Sequence, residues 1–337
     1  MDTITRTDNS PIRQMIEAKA VLAPMAGITD VPFRMLARSF GCAFCFTEMI
    51  DVNGIIYNNR KTFKLIERVP ADAPLGVQLV GQNEDKFAYV SNLLQRKGYR
   101  MIDINAGCPA RKVIKAGKGA ALLKSPEKIH SIVKRVVSEV DVPVTVKIRS
   151  GWDENTRNYL EVADAASSAG AKAICVHVRT REQMYKGKAD HEVSRQIKSA
   201  LDIPVFASGN IFNAESAGKV LSQTGCDGVF VARGALGRPW IFREINGSLT
   251  GGVIPRPPGF DQMKRVMIEH YRLCTEYLEP GRVHSRMYKH VSWYLKGYKN
   301  LDDIMKEYQK AGTLDGFMRL VERLRLDNGK YLKLGDK

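Results

Sequence analysis

The sequence predicts an α/β protein built on a (β/α)8 barrel, a TIM barrel, followed by a small all-α helical domain. Three observations carry that expectation. Short, nearly continuous apolar runs, often β-branched, recur eight times between residues 21 and 234, as in strands buried on both faces of a parallel sheet. Amphipathic helical patterns separate most of them. After Ile245 the alternation stops, and the chain has helical patterning with no strand candidate to about residue 326. An open parallel sheet would also alternate in this way, but eight repeats match one closed barrel.

The runs are VLAPM (21–25), CAFCFTEM (42–49), LGVQLVG (75–81) and MIDINAG (101–107), then VPVTVKIRSG (142–151), AICVHVRT (173–180), IPVFASGN (203–210) and DGVFVARG (227–234). Each ends at polar, Gly or Pro punctuation. Between them, 83–98 reads as a helix with acids first, an apolar stripe, bases last and Gly98 to close. The segment 125–140 opens with Ser125 as N-cap, Pro126 at the first helical position and Glu127 behind it. Segments 158–170 and 213–225 also end at glycines. NGSLTGGVIPRPPG (246–259) is rich in Gly and Pro and reads as a linker. The expected division is therefore a barrel over 1–245, a linker over 246–259 and a helical domain over 260–337.

Composition bounds the function. With 44% hydrophobic and 26% charged residues the chain can bury a large core. No apolar run approaches the roughly 20 residues of a membrane span, and the opening MDTITRTDNSPIRQ lacks the apolar core of a signal peptide. Six scattered cysteines make no disulfide framework, so a cytoplasmic protein without membrane contact is expected. The net charge of +16 favours a polyanionic partner such as nucleic acid.

In a (β/α)8 barrel the active site lies at the C-terminal ends of the strands. Read as one list, those ends carry Pro24-Met25-Ala26-Gly27, Gln78, Asn105 with Cys108, Lys147 with Arg149, His177 with Arg179, Ser208-Gly209-Asn210 and Ala232-Arg233-Gly234. Residues two apart share a face, so Lys147 with Arg149, and His177 with Arg179, are expected to point together into the barrel mouth. The resulting rim is cationic and holds one thiol. It has neither paired carboxylates for hydrolysis nor a metal-ligand cluster, so no metal is expected. Cys108, between Gly107 and Pro109, is either a small packed hydrophobe or a reactive thiol aimed at a site. Cys42 and Cys45 form a lone C-x-x-C whose members, three apart in a strand, are expected to face opposite ways and pack. GKG (117–119) reads as a turn opening the next helix. The glycine-bearing loops seven and eight let backbone N–H groups approach a phosphate, and Arg233 can add a charge-assisted bond.

VLAPMAGITDVPFR, GVQLVG, DINAGCPARKVIKAGKGAALL, VTVKIRSGW, HVRTREQMYKGKAD and VARGALGRPWIF together resemble the bacterial tRNA-dihydrouridine synthases, most strongly the B-type branch. The resemblance runs in register from about residue 20 to 245 and extends into the tail through KHVSWYLKG. It implies an FMN-dependent barrel that reduces a uridine of tRNA, with NADPH as electron source and a helical tRNA-binding domain. By position, Pro24, Met25, Ala26, Gln78, Lys147 and His177 would hold the flavin ring, and Ser208, Gly209, Asn210, Ala232 and Arg233 its ribityl phosphate. Asn105, Arg149 and Tyr185 would hold the uracil. Flavin N5 would give a hydride to C6, and Cys108, a thiol, the proton to C5. The chain departs from the family pattern at Val178, Asn210 and His191, where Gly, Asp and Trp are usual.

The tail supplies an expected polyanion site. Between Glu279 and Asp302 there is no carboxylate, while Arg282, Arg286, Lys289 and Lys296 cluster on one side of a helical wheel with Trp293 among them. Val283, Met287, Val291 and Tyr294 lie opposite and are expected to pack. A solvated basic face is the plain reading of such a helix; the lack of acids favours phosphate contacts. A flavin-dependent dehydrogenase of a free pyrimidine, of dihydroorotate or dihydropyrimidine type, is the alternative function, and it has no need of a basic tail. A non-catalytic RNA-binding barrel is another, and it would carry no flavin. The protein is expected to be a monomer.

Overall fold

The computed structural model describes residues 10–249 and 254–335. Eight parallel strands close into one barrel: β1 (Ala20–Leu22), β2 (Cys45–Asp51), β3 (Leu75–Val80), β4 (Met101–Asn105), β5 (Val144–Arg149), β6 (Ala173–His177), β7 (Val205–Ser208) and β8 (Gly228–Val231). Pairing of β1 with β8, Leu22 opposite Val231, completes the closure. The helices over Glu84–Arg96, Pro126–Val137, Tyr159–Ser168 and Ala214–Thr224 lie within the segments that the sequence marks. Side chains fix the starts of three of them: Asn83 accepts from the amide of Lys86, Ser125 from that of Lys128, and Asn213 from that of Ser216.

Alternation along each strand divides the core in two. Ile102 and Ile104 of β4 face the helices, whereas Met101 joins Val21, Phe46, Ala173, Cys175, Phe206 and Phe230 inside the barrel. The helix Pro11–Ala18 adds Ile12 and Met15 to that inner core and closes the end of the barrel where the strands begin. The other end is left to the polar residues of the strand termini.

Beyond the barrel the helix Ile241–Leu249 continues through 246–249, four positions that the sequence reading gives to the linker. Residues 250–253 of that linker lie outside the described residues. Four helices follow, Phe260–Tyr277, Pro280–Tyr294, Leu301–Ala311 and Leu314–Arg323. An antiparallel pair, Leu324–Asp327 with Tyr331–Leu334, then adds strands where none is expected, so the tail is not purely helical. Its turn is Asn328-Gly329, both at positive φ, the pairing that tight hairpins favour.

The tail has its own core, around Met267, Tyr271, Met287, Val291, Tyr294 and Phe317, into which the barrel contributes Leu36 and Trp240. An ionic contact seals the junction. Arg286 Nε lies 3.0 Å from Asp30, its Nη1 lies 4.0 Å from Glu48, and the same Nη1 donates to the Gly27 carbonyl. Asp30 is also the N-cap of the helix Val31–Ser39, accepting from the amide of Phe33. Burial pushes its carboxyl up to about 6 against the pull of Arg286. Beside this pair His270 and His290 pack edge to face at 4.3 Å, both against Phe33. Burial keeps both rings neutral and lowers His270 to about 3.

The two histidines make an acid-sensitive contribution to the junction, opposite in sign to that of Asp30, whose raised carboxyl favours the folded state below about pH 6. The unfolded chain binds a proton at His270 below pH 6.5, and the folded chain does not until about pH 3. Stability fully present above pH 6.5 is lost as the pH falls towards 3. In equilibrium urea unfolding, His270→Phe should reduce the pH slope in that window by up to one proton, about 1.4 kcal/mol per pH unit. An unchanged slope would mean that this imidazole is not held neutral.

Candidate active site

A cavity of about 530 Å³ opens at the C-terminal ends of the strands. Its lining includes Pro24, Met25 and Ala26 after β1, Gln78, Asn105, Cys108, Lys147, Arg149, His177 and Tyr185, then Ser208, Gly209, Asn210, Ala232 and Arg233. Every barrel residue that the resemblance assigns to flavin, uracil or proton transfer is thus brought to one place. Strand register explains it. Asn105 lies opposite Lys147, Arg149 opposite His177, and His177 opposite Ser208. A larger, shallower depression of about 780 Å³, against the helix Leu301–Ala311, is lined by mixed charges and holds none of these residues.

The loop that presents Cys108 is fixed from two sides. Asn105 Oδ1 accepts from the amides of Gly107 and Cys108, at 3.1 and 2.8 Å. The Cys108 carbonyl accepts from Ala120 at 3.0 Å, and a Cβ at Gly119 would lie 2.9 Å from that carbonyl. Partial burial pushes the Cys108 thiol up, against the opposing pull of the Ala110 amide and of Arg149 and Lys147. It is held as a thiol, not a thiolate.

Three side chains of basic type share its cavity. Lys147 has no ion-pair partner among the described residues, and its charge is felt by Asp103, Cys108 and His177. Arg149 is 3% exposed and spans two loops, donating from Nε to Gly107 and from Nη1 to Thr180 and Met184. None of these bonds uses its Nη2. Burial lowers the guanidinium to about 10, which leaves it charged at neutral pH. Met184 sits at φ 56°, a left-handed turn that its bond to Arg149 secures and that presents Tyr185. His177 is pushed down by burial first and then by Arg149 and Lys147, so its ring is neutral. Its Nδ1 is buried without a protein partner.

Arg179 departs from expectation. It does not point into the mouth beside His177; it is 2% exposed and bonds the carbonyls of Lys186 and Gly187 and the side chain of Asn210. β6 ends at His177, so the strict alternation stops there and Arg179 belongs to the loop. Arg233 lies over the rings of Tyr185 and Phe212, at 5.1 and 5.6 Å from their centroids. Phe212, exposed at the rim, is not marked by the sequence reading, nor are Met49, Met184 and Phe230 in the lining. Phe230 is readable from strand parity; Met49 is not, because a register irregularity between Phe46 and Met49 breaks the alternation of β2, and Phe212 and Met184 lie in loops, where no period applies.

The three positions that depart from the family pattern meet in one cluster beneath loop seven. His191 Nε2 bonds the Gly209 carbonyl at 2.9 Å, and a Cβ at Gly209 would stand 3.0 Å from Val178 Cγ2. Asn210 adopts φ 52° and accepts from Arg179. Loops seven and eight touch backbone to backbone, since a Cβ at Gly234 would overlap the Ile211 carbonyl.

Other expectations are corrected. Cys42 and Cys45 do not face apart: Cys42 lies before β2, outside the strand, and the two buried sulfurs lie 3.6 Å from each other. Within GKG, Lys118 pairs with Asp51 at 2.7 Å while Gly119 opens the short helix Gly119–Lys124. In the tail, Val283, Met287, Val291 and Tyr294 are buried as expected, and Arg282, Lys289 and Lys296 are exposed. Arg286 instead turns to the barrel, where Asp30 and Glu48 neutralise it. Among the described residues no His, Cys, Asp or Glu group could hold a metal, and no helix is long and apolar enough to cross a membrane.

Residues 21–322 match the family model described as dihydrouridine synthase. The tRNA-dihydrouridine synthase B of Pseudomonas aeruginosa is 42% identical over 316 residues, 92% of this chain and 95% of its own. The protein of that name from Pseudomonas syringae pv. tomato is 41% identical over 276 residues, 82% of each chain. Among solved structures, a 2-naphthoyl-CoA reductase aligns with a TM-score of 0.54 at 10% identity, over 69% of this chain and 50% of its own. Histamine dehydrogenase from Rhizobium sp. 4-9 aligns at 0.51 and 12% identity, over 76% of this chain and 49% of its own. At such identities these two share the fold alone.

Cys108 is half-buried and the other five cysteines are buried, which makes its chemistry separable. Iodoacetamide should label Cys108 first in the folded protein. Its rate should still be rising at pH 9, the ordinary thiol value above which burial pushes this group. A plateau reached near neutral pH would mean a thiolate, and so a different role.

Proposed function

The chain belongs to the dihydrouridine synthase family, and on that premise we propose that it is a flavin-dependent tRNA-dihydrouridine synthase of the bacterial B type. The reaction is reduction of the C5–C6 bond of a uridine in tRNA, with FMN as the flavin and NADPH as the reductant. One observation carries the reading: a thiol kept protonated shares a cavity with an unpaired lysine, a neutral histidine and two glycine-bearing loops.

The residues present suit a flavin mononucleotide. Met25, Met49 and Phe230 offer apolar walls, and Gln78, Lys147 and His177 offer polar groups along them. The orphaned His177 Nδ1 is a buried atom in want of a partner. Ser208 to Asn210 and Ala232-Arg233 offer backbone amides and a guanidinium for the phosphate. When bound, FMN supplies the hydride that reaches C6 of the uracil. Lys147 places positive charge where negative charge would accumulate. Cys108 supplies the proton to C5, which requires the thiol form. Arg149 Nη2 and the remaining N–H of the Asn105 amide are left to hold the uracil carbonyls, with the ring of Tyr185 alongside. The base reaches them only after leaving its stack.

The barrel does the chemistry and the region from 260 onward holds tRNA, through Arg282, Lys289 and Lys296. Arg286 is left out of that set because its charge is spent on the barrel. The basic face has no use in a free-pyrimidine dehydrogenase. Mapping dihydrouridine in tRNA from cells lacking the protein tests the function directly, and an unchanged map in a strain with no redundant synthase would refute it.

Three further outcomes are expected. Denatured protein should release FMN, and Cys108→Ala should keep FMN and its bleaching by NADPH while dihydrouridine formation falls on the order of a hundredfold. A normal rate in that variant would move the acid elsewhere. Replacing Arg282, Lys289 or Lys296 by Ala should weaken tRNA binding and flatten its log–log salt slope by about 0.7–0.9 for each phosphate no longer neutralised, with NADPH oxidation unchanged.

A further inference from the structure

Inside the barrel, one layer below the cavity, lies a carboxylate that the reaction does not use. Asp103 is 1% exposed and is not among the cavity-lining residues. Its two oxygens are both acceptors: Oδ1 takes the Thr145 hydroxyl at 2.7 Å and Oδ2 takes Gln78 Nε2 at 2.7 Å. That second bond decides which way the Gln78 amide points. With its nitrogen turned down to Asp103, Gln78 presents Oε1 upward, where Asn105 Nδ2 donates to it at 2.8 Å. Asn105 is oriented in turn, so that its Oδ1 faces the amides of Gly107 and Cys108. Each amide in the series has one orientation, and the acceptor oxygen at its foot selects it.

We infer that Asp103 is a positioning residue for Cys108, acting through Gln78 and Asn105. Register supports the assignment, since Gln78 lies opposite Asp103 in the barrel and Asn105 is two residues beyond Asp103 on the same face of β4. So does charge. Burial raises the Asp103 carboxyl to about 6 while the bonds from Gln78 and Thr145 and the charge of Lys147 hold it down, which leaves an acceptor pair at neutral pH. A buried carboxylate is costly to keep, and an apolar side chain would fill the same inward position without that cost. The importance of the Cys108 position rests on the function proposed above, but the orientation series itself does not.

The test moves the carboxylate along the series. Asp103→Asn should behave as the parent, because its Oδ1 can still accept from Gln78 while its NH2 turns to the Thr145 hydroxyl. Asn105→Asp should fail, because Gln78 then lies between two carboxylates and can turn its NH2 to only one. Combining the two should restore order with the polarity reversed. The amide introduced at position 103 then donates to Gln78, Gln78 donates to the carboxylate introduced at position 105, and that carboxylate accepts from Gly107 and Cys108. Two readouts need no tRNA turnover, namely amide hydrogen exchange at Gly107 and Cys108, and alkylation of Cys108. Asn105→Asp should raise both rates roughly fivefold or more, and the double variant should return them to within about twofold of the parent. Equal rates in Asn105→Asp and the double variant, or no change in either, would overturn the inference. So would a Cys108 amide in the parent that exchanges like an open loop, a measurement that stands even if a variant fails to fold. Loss of the synthase activity with this pattern intact would overturn the function and leave the positioning role standing.

Discussion

Closing eight parallel strands on themselves removes both sheet edges and turns every second side chain of each strand into a confined interior. What that interior can hold is decided layer by layer. Near the start of the strands it holds Phe44, Met101 and Ala173, with Ile12 and Met15 beneath them. Near their ends it holds Gln78, Asn105, Lys147, Arg149, His177 and Ser208, which reach water only through the cavity. Between the two comes Asp103 with Thr145, a polar floor set on an apolar base. The site is the upper part of a core whose lower part is ordinary.

Polarity confined in this way has to be satisfied from within the chain. Arg149 and Arg179 show the solution best. Both are almost fully buried, and neither has a carboxylate as its main partner; each bonds backbone carbonyls of neighbouring loops. Buried guanidinium groups serve here as loop ties, and the loops they tie are those carrying Cys108 and Tyr185. Lys147 and His177 are left incompletely partnered at the cavity wall. A buried polar atom that lacks a partner and belongs to a cavity wall, as His177 Nδ1 does, is one physical mark of a site awaiting a ligand.

Most of the barrel is legible in sequence, because period-two alternation and buried parallel strands leave strong apolar runs and the C-terminal strand ends are where a barrel keeps its polar residues. Gln78, Lys147 and His177 can be read that way. The failures have separate physical causes. Arg179 and Cys42 lie just past and just before strands, and parity reasoning carried beyond a strand end places a side chain on the wrong side. Arg286 looks like a phosphate contact because its neighbours along the helix are basic; its partners, Asp30 and Glu48, lie more than two hundred residues earlier in the chain, where no local pattern could indicate them. The hairpin over 324–334 escapes a sequence reading although Asn328-Gly329 announces such a turn, since four-residue strands give too short an alternation to register.

The contact between Arg286 and the barrel bears on how such a protein could be rebuilt from parts. Asp30 and Glu48 belong to the barrel, and the cation that makes their burial tolerable belongs to the appended region. A barrel joined to a foreign region that covers the same face would bury two acids without that counter-charge beside the Pro24–Gly27 loop. The two parts are therefore exchangeable only in matched sets, and a chimera must bring its own arginine to that spot or neutralise both acids.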